Sequence, residues 1–162
     1  MVTIVEINEV LETVFDPEVP VLSILDLGVV RKVFVEKGIA NIVLTPTYSG
    51  CPAMDTIIED TRKALVEAGI ENAVIEMELH PAWTTDWISE KGKEKLLLYG
   101  IAPPVEPLPN ANVMFADNPI INCPQCKSKD TVMISLFGST ACKALYKCNN
   151  CLEPFDYFKC LR

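Results

Sequence analysis

The chain has 162 residues, 49% apolar and 22% charged, with a formal net charge of −8. That balance builds a globular core and excludes a bilayer-spanning chain, since no apolar run reaches the roughly 18 residues a membrane helix requires. Phosphate contacts need lysine and arginine, so the acidic excess argues against nucleic-acid binding.

The opening MVTIVEINEVLE lacks the basic start and cleavage site of a signal peptide. Seven cysteines, an odd number that includes two CxxC pairs, suit metal binding rather than a secreted disulfide framework. The expectation is a cytoplasmic protein. Charge divides unevenly: residues 1–118 carry 8 basic and 19 acidic side chains, residues 119–162 carry 6 and 3.

In chain order, Ile4, Ile7, Leu11 and Val14 share one face of a helix, with Thr3 and Glu6 at capping-box spacing and Asp16-Pro17 as its end. Val29 to Val35 and Ile39 to Leu44 are β-rich and flank Lys37-Gly38, which predicts a hairpin. Met54, Ile57, Ile58, Leu65 and Ala68 line a helix that stops at Gly69. Ala73, Ile75, Met77 and Leu79 alternate as a third strand. A last helix is expected from near Asp86, as its cap, to Gly100. The fold class is therefore α+β: a small α-β-β-α-β-α sandwich at 1–102, a linker at 103–119 rich in proline, and a β-type module at 120–162.

The second module opens with Cys123 and Cys126 and returns to Cys148 and Cys151 after 21 residues. Two CxxC turns close a tetrahedron of thiolates around one metal at about 2.3 Å per bond. A module of about 40 residues is too small to fold on a hydrophobic core alone, so a metal staple is expected. With four protein ligands no vertex remains for water, which points to structural zinc; iron for electron transfer and a redox CxxC are the alternatives. Zinc and four thiolates bring this module's charge to about +1, too little for phosphate binding and better suited to docking on an acidic or mixed protein surface. Cys142 and Cys160 read as small buried apolar residues, with substitution for one of the four ligands as the alternative.

Cys51, in TPTYSGCPAMDT, stands apart from the others. With Pro52 as the first helical residue, Cys51 becomes the N-cap, where the helix dipole favours a thiolate. Such a thiol is a soft ligand for iron or an iron–sulfur cluster, and it is also the profile of an ordinary structural cysteine. One chain supplies too few ligands here, so a cluster shared in a two-fold dimer or passed to a partner would complete the set. His80 is the sole histidine and nothing places it beside Cys51, which disfavours a Cys–His hydrolase. Phosphate loops, dinucleotide fingerprints and nucleophile elbows are absent from the sequence, so no catalytic residue is assigned. Asp16, Glu18 and Asp26 read as solvated residues or local backbone acceptors, and Trp83 and Trp87 as core or interface.

The stretches FDPEVPVLSILDLGVV, LTPTYSGCPAM and PAWTTDW resemble the iron–sulfur cluster assembly family also known as domain of unknown function 59. Together with CPQC, FGSTACKALYKC and EPFDYFKC, they resemble the accessory D (or J) subunits of phenylacetyl-CoA epoxidase systems over nearly the whole chain. The resemblance implies a non-catalytic maturation role in aerobic phenylacetate degradation. Cys51 would handle a transient iron or cluster, and the partners would be the epoxidase components, above all the iron–sulfur reductase. A non-catalytic structural subunit and an iron tetrathiolate electron carrier remain the competing readings.

Overall fold

The computed structural model describes residues 2–105 and 120–160. Its elements are helices α1 (Ile4–Leu11), α2 (Ala53–Glu67) and α3 (Glu90–Tyr99) and strands β1 (Val30–Glu36), β2 (Ile39–Leu44), β3 (Ala73–Met77), β4 (Ile101–Ala102), β5 (Thr131–Ser135), β6 (Lys143–Cys148) and β7 (Pro154–Phe158). Two compact units divide between Gly92 and Lys93. Of the expected linker 103–119, residues 106–119 lie outside the described residues. No helix among the described residues is long and apolar enough to cross a membrane.

The first unit holds a three-stranded sheet in the order β1-β2-β3, antiparallel then parallel. The β1–β2 turn has Lys37 and Gly38 both at positive φ (51° and 79°), the geometry whose twist matches a tight hairpin. Register places Val33, Val35, Ala40, Ile42, Leu44, Ala73 and Ile75 on one face, where Ala40, Ile42 and Leu44 are fully buried. The core is completed by Ile7 and Leu11 of α1 and Met54, Ile57 and Leu65 of α2.

The capping box at the start of α1 is present: the Thr3 amide donates to Glu6 Oε2 at 2.8 Å, and the Glu6 amide to Thr3 Oγ1 at 3.3 Å. The helix ends at Leu11, earlier than Asp16-Pro17 suggests, because Thr13 and Val14 close tight turns onto Val10 and Leu11. Val14 stays buried nonetheless, while Ile4 is half exposed. Asp16 is a local backbone acceptor, its Oδ1 taking the amides of Glu18 and Val19, each at 2.8 Å. That turn buries Val19, Leu22, Ile24 and Leu27 in a segment to which the sequence assigns no element.

Two expectations are corrected here. Met77, the last residue of β3, and Leu79, beyond the strand's end, are 52% exposed rather than inward. The last helix begins at Glu90, and its first turn is capped by Ser89, whose Oγ accepts from the Gly92 amide at 2.9 Å. Asp86 lies instead in a separate 3-10 turn, Thr85–Trp87.

The second unit holds a four-stranded sheet in the order β4-β7-β6-β5. Ile101–Ala102, on the far side of the expected boundary, pairs in parallel with Asp156 and Tyr157 of this sheet. A small core forms around Tyr146, which stacks on Phe155 (centroids 5.9 Å apart) and meets Tyr157 edge-on (5.6 Å).

Candidate metal centre and the cysteine of the β2–α2 turn

Two turns of the same shape carry the four thiols. In each, the residue after the second cysteine takes a left-handed conformation, Lys127 at φ 63° and Leu152 at φ 67°. Around the first turn, Lys127 N donates to Cys123 O (2.9 Å) and Cys123 N to Ser128 O (2.9 Å). Around the second, Cys148 N donates to Glu153 O (3.0 Å) and Cys151 N points at Cys148 Sγ (3.5 Å). Such tight turns aim both sulfurs of a pair at one point.

The four sulfurs all lie within 4.8 Å of one another. Cys123 Sγ stands 3.7 Å from Cys151 Sγ, and Cys126 Sγ 3.5 Å from Cys148 Sγ. A regular tetrahedron with bonds of about 2.3 Å has edges of about 3.8 Å, so the cavity between the sulfurs matches one tetrathiolate ion. Cys123 and Cys148 are buried, Cys151 is half-buried and Cys126 is exposed.

Electrostatics favour the same conclusion. The Ser128 backbone, then the Asn150 side-chain amide, hold Cys126 down to about 6 from an ordinary 9.0. At Cys151 the Glu153 backbone also lowers the value, but burial and the three neighbouring thiols outweigh it and push it up to about 12. Thiols this close cannot all ionise unless a cation enters among them. The donor set therefore fits a bound metal, with all four sulfurs contributed by one chain. Cys142 is buried beside Thr140, whose Oγ1 lies 3.0 Å from its sulfur, and Cys160 is half-buried; neither belongs to the four-sulfur group.

Cys51 occupies a different setting. β2 ends at Leu44, and the chain turns through Gly50 at φ +78°, a conformation that favours glycine. Cys51 N then donates to Tyr48 O (3.2 Å), and Cys51 O accepts from Met54 N (3.3 Å). The helix N-cap is Pro52, already helical at φ −69° and ψ −19°, so Cys51 lies one residue before the cap rather than serving as it. The Cys51 sulfur is approached by Thr47 Oγ1 at 3.9 Å. It is half-exposed, neither sealed in the core nor fully in solvent.

The sequence reading missed Thr47, although its place four residues before Cys51 was a usable signal. Asp26 is corrected: it is buried, its Oδ1 accepts from Ser89 Oγ (2.8 Å) and its carbonyl from Ser89 N (2.9 Å), a contact that spans 63 residues. This tie anchors the segment of both tryptophans. Trp83 is core, its Nε1 donating to Leu27 O at 3.0 Å, and Trp87 carries the Arg31 guanidinium over its ring at 3.4 Å. Thr45 Oγ1 donates to Glu78 O (2.8 Å) and Glu78 N to Leu44 O (2.9 Å), so the Cys51 turn and the exposed Met77 and Leu79 leave the same end of the sheet. His80 is exposed.

The family model for iron–sulfur cluster assembly proteins matches residues 4–77, and that for the PaaD zinc beta ribbon domain matches residues 109–159. Over 157 residues the chain is 47% identical to an Escherichia coli (strain K12) protein provisionally named as the D subunit of 1,2-phenylacetyl-CoA epoxidase, covering 96% of this chain and 92% of that one. It is 37% identical over 93 residues to a Porphyromonas gingivalis (strain ATCC BAA-308 / W83) protein named Fe-S protein maturation auxiliary factor, covering 56% and 88%. The crystal structure of a domain of unknown function, DUF59, from Bacillus anthracis superposes with a TM-score of 0.54 at 29% identity, over 57% of this chain and 90% of that one. The chain belongs to the family of the Escherichia coli epoxidase protein, in which an iron–sulfur cluster assembly domain is joined to a PaaD-type zinc beta ribbon.

Proposed function

We propose that this chain is a non-catalytic maturation factor that helps to assemble or repair an iron–sulfur or di-iron centre of a multicomponent phenylacetyl-CoA epoxidase. Cys51 receives or presents the iron or cluster as cargo. Cys123, Cys126, Cys148 and Cys151 hold a structural zinc, and the ribbon docks the client, above all the iron–sulfur reductase component. The observation that carries this reading is the contrast between the two thiol environments. Four sulfurs close on one another around a single point, whereas Cys51 is half-exposed on a turn with a hydroxyl as its neighbour. A closed quartet retains its ion, and an accessible single thiolate exchanges one.

Relatives named Fe-S protein maturation auxiliary factors match the first domain, and the relative named as an epoxidase subunit matches both. These names support the class of role and the client respectively. Thiols kept reduced for metal traffic suit the cytoplasm. A cluster bridged by Cys51 residues of two copies would complete the ligand set that one turn cannot supply.

Anaerobic purification of the wild type and of Cys51→Ser, with Fe, Zn and sulfide measured, tests the reading. Zinc near one per chain in both proteins is expected, with iron and sulfide acquired by the wild type alone. Iron in the quartet, or equal iron in both proteins, would contradict it. The 96% coverage of a relative named as an epoxidase subunit favours a second reading, a structural subunit; stoichiometric co-purification with the catalytic components would support that instead.

A further inference from the structure

The four thiols of the quartet do not share one environment. Cys123 and Cys148 are fully buried in the ribbon's small core, with Ile121, Ala144, Tyr146 and Phe155, and Cys151 is half-buried against that core. Cys126 alone of the four is exposed, between exposed Gln125 and Lys127. A reagent dissolved in water therefore meets this sulfur first.

Cys148 Sγ lies 3.5 Å from the Cys126 sulfur, on the opposite knuckle. Asn150, itself exposed, donates its Nδ2–H to the same sulfur at 3.7 Å. An amide bonded to a thiolate draws on the lone pair that a nucleophile uses, and so slows its attack. Cys123 and Cys151 form a second close pair, 3.7 Å apart. Oxidation that joins either pair leaves two thiolates, too few to hold a tetrahedral ion.

We propose that Cys126 is an oxidation site through which a hydroperoxide opens the metal centre, with Cys148 as its resolving thiol and Asn150 as its guard. This rests on the zinc proposed above for the quartet. The Cys126 thiolate attacks one peroxide oxygen: an S–O bond forms, the O–O bond breaks and hydroxide leaves. The Cys148 thiolate then attacks the sulfur of the resulting sulfenic acid. An S–S bond forms, the S–O bond breaks and a second hydroxide leaves. Two thiolates have lost two electrons, the peroxide has gained them, and both hydroxides take up protons from solvent. The ion, left with Cys123 and Cys151, dissociates. Because the ribbon leans on that ion for its fold, its docking role becomes conditional on a reducing environment.

Hydrogen peroxide is the probe, added to full-length protein purified with zinc. The Cys51→Ser background removes the half-exposed thiol of the β2–α2 turn. Zinc is counted first, its release is followed with a colorimetric chelator, and the remaining thiols are alkylated and mapped by mass spectrometry. One zinc per chain should leave as a Cys126–Cys148 disulfide forms, and a dithiol reductant with added zinc should restore the starting state. Asn150→Ala should begin with the same zinc content and release it about two- to fivefold faster, the size of one lost hydrogen bond. First oxidation at another member of the quartet, a disulfide that joins Cys126 to a different cysteine, or an unchanged rate in Asn150→Ala would overturn the proposal. Zinc absent before any oxidant would refute the zinc reading and this inference together. Full zinc that peroxide cannot release would refute the inference alone.

Discussion

Cys123 Sγ and Cys151 Sγ stand 3.7 Å apart although 28 residues separate them in the chain. Nothing but a shared cation makes that approach favourable once the thiols ionise. The ribbon's own core is small, built on Tyr146, Phe155, Tyr157 and a few aliphatic side chains. Removing the metal with a strong chelator should therefore unfold residues 120–160 while the helix–sheet unit keeps its structure, as read by loss of dispersed amide signals from the ribbon only. Cys123→Ser should do the same, because it leaves three ligands and a buried hydroxyl in place of a thiolate. A ribbon that keeps its fold without metal would show that its apolar core suffices.

Acid should release the ion. Bound metal requires deprotonated thiols, so protons compete with it and affinity falls as pH falls. The sign follows from Cys126, whose thiol is already held down to about 6 by the Ser128 backbone and the Asn150 amide and gives up its proton first. Cys151, pushed up to about 12, reaches its thiolate only with the metal's help. Ribbon stability is thus present above the lowered, metal-bound thiol values and is lost as pH falls through them. A colorimetric zinc chelator should report release on acidification and retention at alkaline pH; equal retention at both extremes would argue against thiolate ligation.

Gly28 has a backbone role. Its φ is +77°, and a Cβ at this position would collide with the Trp87 carbonyl oxygen. Both conformation and space exclude a side chain, so Gly28→Ala should destabilise the first unit by at least about 1–3 kcal/mol. The same change should loosen the Trp87 segment, seen as a lower urea midpoint together with a shifted tryptophan emission spectrum.

Thr61 presents the opposite case. It is fully buried in α2, and its Oγ1 has no hydrogen-bond partner among the described residues. Replacing the hydroxyl with a methyl of similar shape removes a desolvation cost without opening a cavity. Thr61→Val should raise stability by about 1 kcal/mol, measured as an increased denaturant midpoint at unchanged slope.

What could be read from sequence was governed by local rules. The Thr3–Glu6 box, the Lys37-Gly38 turn and the two CxxC knuckles each depend on residues within a few positions of one another, and each is present. The failures came from tertiary context. Met77 and Leu79 alternate as a buried strand would, yet the strand stops at Met77 and both side chains are exposed. Asp26 is tied to Ser89 across 63 residues, which no local pattern encodes. Ile101–Ala102 has the look of a helix-stop sequence, and its pairing with β7 depends on a strand more than fifty residues away. Cys51 was expected to be the cap of α2, whereas the cap falls one residue later, on Pro52.

The proposed role has Cys51 trade metal while the quartet holds it, and everything proposed for the chain depends on that division. The most direct test co-produces the epoxidase reductase with either the wild-type chain or Cys51→Ser and measures iron and acid-labile sulfide per reductase. Because Cys51 is half-exposed, the variant should keep the wild-type zinc content and a stability within about 0.5 kcal/mol. A several-fold fall in reductase cluster occupancy is predicted with the variant; full occupancy, with the variant folded and zinc-loaded, would contradict the claim.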